Sequence, residues 1–346
     1  MISLYLGILL FSFVFNSFLM LPFIDFLYRI KFQRQRQKTK DPFNKLTPIF
    51  DFFHKGKAGV PVGGGVLIVS TTLFLFVFFL TLFYLFNVPI ISIFKNVFKE
   101  AVIVFFAFFS FAFLGLYDDI NKILATKTSA FFGLRMRHKL ILEIFLALII
   151  GYWLYSWLGI DFVHVPFFGI IRLGFFYIFF AAFVIIAFAN AFNITDGLDG
   201  LAAGVLLINV LVFWAISSSL LDTVLSVFLA AWIGALITFL YFNVNPARII
   251  LGDTGSLSFG ATFAIIGLLL GKALLLPIIG LVFVVEIVTS LMQLLSKRYL
   301  KRKFFPVAPL HLYLQLRGWS EPKIVFRLWL TAIIASLFGL WIAFLK

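Results

Sequence analysis

Only 14 of 346 residues are Asp or Glu, and five of these carboxylates fall in three short polar motifs. The first is Gly115-Leu-Tyr-Asp118-Asp119-Ile-Asn-Lys122 and the second Asn190-Ala-Phe-Asn193-Ile-Thr-Asp196-Gly197-Leu198-Asp199-Gly200. The third runs from Asn243 to Gly252-Asp253-Thr-Gly255-Ser256. Two adjacent carboxylates repel, and at a helix C-terminus they also oppose the macrodipole. A divalent cation or a lysine such as Lys122 would relieve both problems. Asn190, Asn193, Asp196 and Asp199 recur every third residue, so helical or near-helical backbone would align them on one face. A capping Asp explains one member of that set but not four aligned polar groups among apolar neighbours. The glycines around Asp253 read as a turn whose amides open a helix, a setting suited to phosphate, with an ordinary N-cap as the plainer alternative. Together the motifs point to one Mg²⁺-assisted phosphate site. Mg²⁺ takes one or two carboxylates plus phosphate oxygens and water, which suits this supply of Asp and Asn. With no Cys and four scattered His, a disulfide framework is excluded and zinc is disfavoured.

Composition says which elements must hold these residues. Hydrophobic residues make up 63% of the chain and charged residues 12%, about half the charge of a typical soluble domain. Apolar runs long enough to cross hydrocarbon predict about ten transmembrane helices. They lie at roughly 2–30, 60–86, 101–117, 139–157, 170–192, 200–218, 223–242, 256–271, 273–295 and 324–345. The division at Gly271-Lys272 is the weakest. The fold class is therefore all-α, a single polytopic membrane domain over 1–346, with chemistry in loops 31–59, 118–138, 193–199, 243–255 and 296–323. The first run, Ile2 to Ile30, lacks a basic n-region and exceeds a signal-peptide core in length, so it reads as a retained span.

The net charge of +14 is unevenly spread. Of 28 Lys and Arg, nine lie between Arg29 and Lys57, five between Lys122 and Lys139, one at Arg248 and eight between Lys297 and Arg327. If ten spans alternate, all of these share one side, and only Lys95, Lys99, Arg172, Lys272 and Lys346 face the other. This positive-inside signal predicts both termini on the periplasmic side and all three acidic motifs at cytosolic span ends. An acid at the bilayer centre costs about 2.5–3.5 kcal/mol, much of which an interfacial position avoids. The basic excess thus reflects topology and attraction for anionic lipids or a phosphorylated substrate, not nucleic acid. A secondary transporter, the rival from another class, would gather its acids near the midplane. Here the motif acids collect at one interface, apart from which Glu286 and Glu143 lie deeper in spans; for Glu286 a functional role and a structural hydrogen bond stay open.

Tyr117-Asp118-Asp119, Asn193-Ile-Thr-Asp196-Gly-Leu-Asp199-Gly-Leu-Ala, and Phe242-Asn243 with Gly252-Asp253-Thr-Gly-Ser resemble polyprenyl-phosphate N-acetylhexosamine-1-phosphate transferases. The likeness covers nearly the whole chain in order. Within that superfamily the chain is most similar to the phospho-N-acetylmuramoyl-pentapeptide-transferase branch. The features are Val-Val-Glu286-Ile, Ala308-Pro-Leu-His311, Leu316-Arg-Gly-Trp-Ser-Glu-Pro-Lys323 and Lys57-Ala-Gly-Val-Pro-Val-Gly-Gly64. Two departures bear on the sugar nucleotide: His311-Leu312-Tyr313 keeps the first of three consecutive histidines, and Val60 and Val62 replace two threonines. A sister transferase moving N-acetylglucosamine-1-phosphate or a related sugar phosphate is the nearer alternative.

The resemblance implies attack by undecaprenyl phosphate on the β-phosphorus of UDP-N-acetylmuramoyl-pentapeptide, releasing UMP and forming lipid I. That is the first membrane step of peptidoglycan synthesis, carried out in the bacterial inner membrane, and the resemblance also suggests a homodimer. It implies catalytic roles for Asp118, Asp119 and Asp253, with Mg²⁺ on Asp253 and Asp119. Lys57, Lys122 and Lys139 would face phosphate. Asn190, Asn193, Asp196, Gly197, Leu198, Asp199, Asn243 and His311 would contact substrate, and of these Asn193, Asp196, Gly197, Leu198 and Asp199 resemble the loop that contacts the uridine in the family. Asp118 would be the base for the lipid phosphate, although a phosphate monoester with a second pKa of about 6 is largely ionised at pH 7. A two-step route through an aspartyl-phosphate stays open. His54, His138 and His164 are left as surface or interfacial residues.

Overall fold

Long apolar stretches in hydrocarbon become helices because each backbone N–H and C=O must find its partner inside the segment. The computed structural model of the chain describes residues 1–34, 46, 48–124, 136–166 and 168–345. The remaining parts of loops 31–59 and 118–138 lie outside the described residues. In chain order the helices are α1 (Ile2–Arg29), α2 (Pro48–His54), α3 (Gly64–Leu85), α4 (Val97–Leu124) and α5 (Met136–Leu158). A short antiparallel hairpin follows, β1 (Phe162–Val165) and β2 (Gly169–Arg172), the one addition to an otherwise helical chain among the described residues. Then come α6 (Tyr177–Thr195), α7 (Leu201–Ser219), α8 (Thr223–Asn243), α9 (Gly252–Leu269), α10 (Leu276–Ile279), α11 (Leu281–Tyr299), α12 (Leu310–Leu316) and α13 (Glu321–Phe344).

Eight of these helices, α1, α3 to α8 and α13, are long and apolar enough to cross a membrane. A ninth span is broken: Ala273–Ile279 and Leu281–Tyr299 meet at 83°. The straight span expected over 273–295 is corrected to this bent pair. Its hinge is Gly280, where an added Cβ would lie 2.9 Å from the Leu276 carbonyl and 2.8 Å from Phe188. The expected span at 256–271 is α9, which starts earlier, at Gly252, and carries Gly, Ser, Thr and Asp253 among its apolar residues. Those polar and glycine residues leave it less apolar than the eight helices above, and it is enclosed by protein. Thr254 to Leu269 are all buried, against α3, α4 and α6.

Helices in lipid gain little from apolar burial, so close backbone approach and interlocking side chains hold them together. Phe108 of α4, Trp232 of α8 and Phe259 of α9 form one buried aromatic knot with centroids 5.1 to 5.7 Å apart. Nearer the basic end, two glycines remove the side chains that would keep α9 away. Gly65 of α3 lies against the Gly255 backbone and Gly115 of α4 against the Asp253 carbonyl, and a Cβ at either would overlap α9. The first turn of α9, and with it Asp253, is therefore clamped between α3 and α4.

Candidate active site

Asp118 and Asp119 are consecutive on α4 and so point about 100° apart. Asp119 turns to the start of α9. Its Oδ1 accepts the Asp253 N–H at 2.9 Å, and its Oδ2 accepts the Thr254 N–H at 2.9 Å and the Thr254 hydroxyl at 2.8 Å. The first N–H groups of a helix lack internal acceptors and favour an anion. The anion that the sequence suggested for this turn is here a side chain of the protein, and both Asp119 oxygens are engaged.

Asp118 turns instead to a cluster of four charges. Lys122, one turn later on α4, places Nζ 3.1 Å from Asp118 Oδ2 and 2.9 Å from Asp253 Oδ2. Lys139, near the start of α5, lies 3.4 Å from Asp118 Oδ2 and closer still to Asp253 Oδ2. Two acids from α4 and α9 thus share two ammonium groups, and the Asp118 side chain is 3% exposed. Unpaired charges at such burial would cost several kcal/mol each. Among the described residues, no three His, Cys, Asp or Glu side chains form a ready metal shell. Two neighbouring carboxylates nevertheless meet what Mg²⁺ asks of a protein when phosphate oxygens and water supply the rest.

The second motif divides. α6 ends at Thr195, Asp196 caps it, and Gly200 takes the left-handed φ of +78° that starts α7. The expected single face of four polar groups is corrected accordingly: Asn190 and Asn193 stay on the helix, and Asp199 lies beyond the turn. Asn190 donates to the buried Glu143 of α5 at 2.6 Å. Asn193 is half-buried and Leu198 buried. Asp199 Oδ2 accepts from Asn245 Nδ2 at 3.2 Å and the Ala247 N–H at 3.1 Å, while Oδ1 lies 2.7 Å from Lys57 Nζ. Asn243 ties the second and third motifs together, accepting the Gly200 N–H at 3.0 Å and donating to the Ile249 carbonyl at 2.9 Å.

His311 packs its ring on Gly197, where a Cβ would lie 2.5 Å from Nε2. Its Nδ1 is 3.0 Å from Glu286 Oε2, and its backbone N–H donates to Glu286 Oε1 at 3.1 Å. Both side chains are almost wholly buried. Glu286 thereby fixes the imidazole so that Nε2 faces the loop, the arrangement by which a carboxylate sets a histidine tautomer. Burial pushes the Asp196 carboxyl up to about 8, with Asp253 and Asp199 adding to the shift and Lys57 and Arg34 opposing it. Arg34 faces the same acids, and burial lowers its pKa.

The structure therefore brings the three motifs, Lys57, Lys122, Lys139 and His311 to one end of the bundle, as two connected sub-sites. Sequence reasoning assigned no role to Arg34, Glu143 or Glu321. Glu321 stood in a quoted motif, but an acid just after Ser320 and before Pro322 reads as an ordinary first-turn residue.

A helical membrane bundle with a carboxylate–lysine site at one end defines a class, and comparison with known proteins agrees with it. The glycosyl transferase family 4 model matches residues 101–271. The phospho-N-acetylmuramoyl-pentapeptide-transferase of Caldanaerobacter subterraneus subsp. tengcongensis is 35% identical over 314 residues, covering 90% of each chain. That of Clostridium perfringens strain SM101 is 34% identical over 91% of this chain and 89% of its own. That of Staphylococcus aureus is 33% identical over 84% and 87%. The chain belongs to the phospho-N-acetylmuramoyl-pentapeptide-transferase family.

Proposed function

We propose that this protein transfers phospho-N-acetylmuramoyl-pentapeptide from UDP to undecaprenyl phosphate in the bacterial plasma membrane, forming lipid I and releasing UMP. The observation that carries this reading is the Asp118–Asp253–Lys122–Lys139 cluster at the basic end of a membrane bundle. An acceptor phosphate oxygen forms a bond to the β-phosphorus of the nucleotide, and the bond from that phosphorus to the bridging oxygen breaks, leaving with UMP. Phosphoryl transfer depends mostly on positioning and charge neutralisation. Lys122 and Lys139 are placed to exchange their carboxylate partners for phosphate oxygens.

Mg²⁺ would be held by Asp253, and its chemistry would be to neutralise charge on the pyrophosphate. Of the two neighbours, Asp118 suits a second ligand better than Asp119, whose oxygens already take three hydrogen bonds. Asp119 then acts by holding the turn that presents Asp253. The Asp196–Asp199 loop with His311 would receive the nucleotide, and Leu312 and Tyr313 make the choice of sugar nucleotide the point to test. A homodimer remains part of the proposal.

The test is UMP release by purified protein with undecaprenyl phosphate and Mg²⁺, comparing UDP-N-acetylmuramoyl-pentapeptide with UDP-N-acetylglucosamine. Release with the pentapeptide nucleotide alone is expected; release with the simpler sugar alone moves the protein to the sister activity. EDTA should stop turnover and added Mg²⁺ restore it, and turnover indifferent to EDTA would remove the metal from the scheme.

A further inference from the structure

Glu321 opens α13, where an acid in the first turn is unremarkable. Its contacts are less ordinary. One oxygen, Oε1, accepts both Lys57 Nζ at 2.7 Å and the Asp199 N–H at 2.5 Å. Lys57 Nζ also lies 2.7 Å from Asp199 Oδ1 and donates to the Gly197 carbonyl at 3.0 Å. An ammonium has three N–H donors, and here three acceptors on two separate segments take them. The side chains of Lys57, Asp199 and Glu321 are 10%, 9% and 14% exposed. Losing one partner at such burial strands the others without water to replace it.

The loop between Asp196 and Gly200 is thus gripped from two sides. Glu321 holds it through Lys57 and directly at the Asp199 N–H, and Glu286 holds the His311 ring against Gly197. The charge here differs from that of the neighbouring cluster. Here one ammonium is held by two carboxylates and a carbonyl, whereas the other cluster has two ammonium groups on two acids, so Lys57 is engaged in fastening the loop. The family resemblance places the nucleoside end of the sugar nucleotide at this loop, and its backbone groups, Asn193 and the fixed imidazole suit such an uncharged hydrogen-bonding partner.

We infer that Glu321 is a positioning residue for the nucleotide: through Lys57 and the Asp199 N–H it holds the Asp196–Gly200 loop in the shape that receives the nucleoside end. The inference rests on the transferase reading above. It also assigns Lys57 a loop-fastening role in place of the phosphate contact expected from the sequence.

The experiment compares wild type, Glu321→Ala and Glu321→Gln in nanodiscs. It measures kcat, KM for each substrate, UMP affinity by calorimetry, and thermal melting. Glu321→Ala is expected to raise the nucleotide KM and weaken UMP binding by about tenfold or more, while KM for undecaprenyl phosphate stays within about twofold. Glu321→Gln keeps an acceptor for the Asp199 N–H but loses the charge facing Lys57, and should fall between. Unchanged nucleotide KM and UMP affinity overturn the inference, as does a fall in kcat alone, the mark of partial unfolding. If Glu321→Ala does not fold, Glu321→Gln is judged by the same two readings. Wild-type protein that releases no UMP with either nucleotide sinks the transferase reading instead, and UMP affinity of the variants then judges Glu321 separately.

Discussion

The two ends of α4 both carry buried carboxylates, yet they are built differently. At the start of the helix Glu100 is fully buried and accepts the Ser92 hydroxyl at 2.5 Å. Its neighbour Asp222 caps α8, accepting the Leu225 N–H at 2.9 Å, while Thr223 and Ile91 exchange hydrogen bonds beside it. At the other end Asp118 meets Asp253 across two lysines. Hydroxyl and amide donors hold these acids within the fold. Ammonium groups shared between two acids are a balance of charge that an incoming phosphate and cation can rearrange. Buried acid alone therefore does not mark a site; the kind of partner does.

The widest separation between the ends should come from neutralising one carboxylate at each. Asp253→Asn or Asp118→Asn is expected to lower UMP release by about a thousandfold or more. Asp222→Ala should leave turnover within about threefold and instead lower stability by about 1 kcal/mol, the usual value of an N-cap. Equal losses of turnover at both ends would erase the distinction. Lys139→Ala comes next, with a fall in kcat/KM of about a hundredfold. Lys139→Arg should recover part of that if charge is what matters.

Asp119→Asn tests the role given to that carboxylate. As the anion at the α9 N-terminus it should cost about 1 kcal/mol of stability, seen in melting, together with a loss of turnover. Lost turnover with unchanged melting would return Asp119 to the metal. Gly115→Ala sharpens the same point from one turn earlier on α4. Its Cβ must displace the Asp253 carbonyl, so about 1–3 kcal/mol of destabilisation is expected, with activity falling through Asp253.

The smallest effect is on pH. The Asp196 carboxyl is held at about 8 in the fold against an ordinary 3.8, so the folded protein binds the proton more tightly than the unfolded chain. Its contribution to stability is complete below about 4 and is lost as pH rises through about 8. Melting temperatures between pH 5 and 9 should show a decline that Asp196→Asn flattens. An unaltered slope in that variant would assign the decline to another group.

Much of this molecule was readable before folding was considered. The apolar runs became helices near their expected positions, since lipid leaves the backbone no other way to satisfy its hydrogen bonds. The broken span at Gly280 and the early start of α9 were harder to read. In each, Gly or Pro sits in an apolar stretch, and neighbours decide whether the chain bends there. The lysine partners of Asp118 were half legible. Lys122 follows by helical spacing, whereas Lys139 comes from the next helix and nothing local announces it. Glu321 stayed hidden because its partners, Lys57 and Asp199, are 264 and 122 residues away.

By itself the sequence determined that the chain lives in a membrane, that its three acidic motifs lie toward helix ends, and which motifs carry its family resemblance. These properties depend on composition, run length and local order. Only the tertiary structure decided that Asp119 fastens α9 while Asp118 faces two lysines. The helix sets consecutive side chains about 100° apart, but what stands on either side is supplied by other helices. Glycine contacts bring those helices close, and no local pattern encodes them.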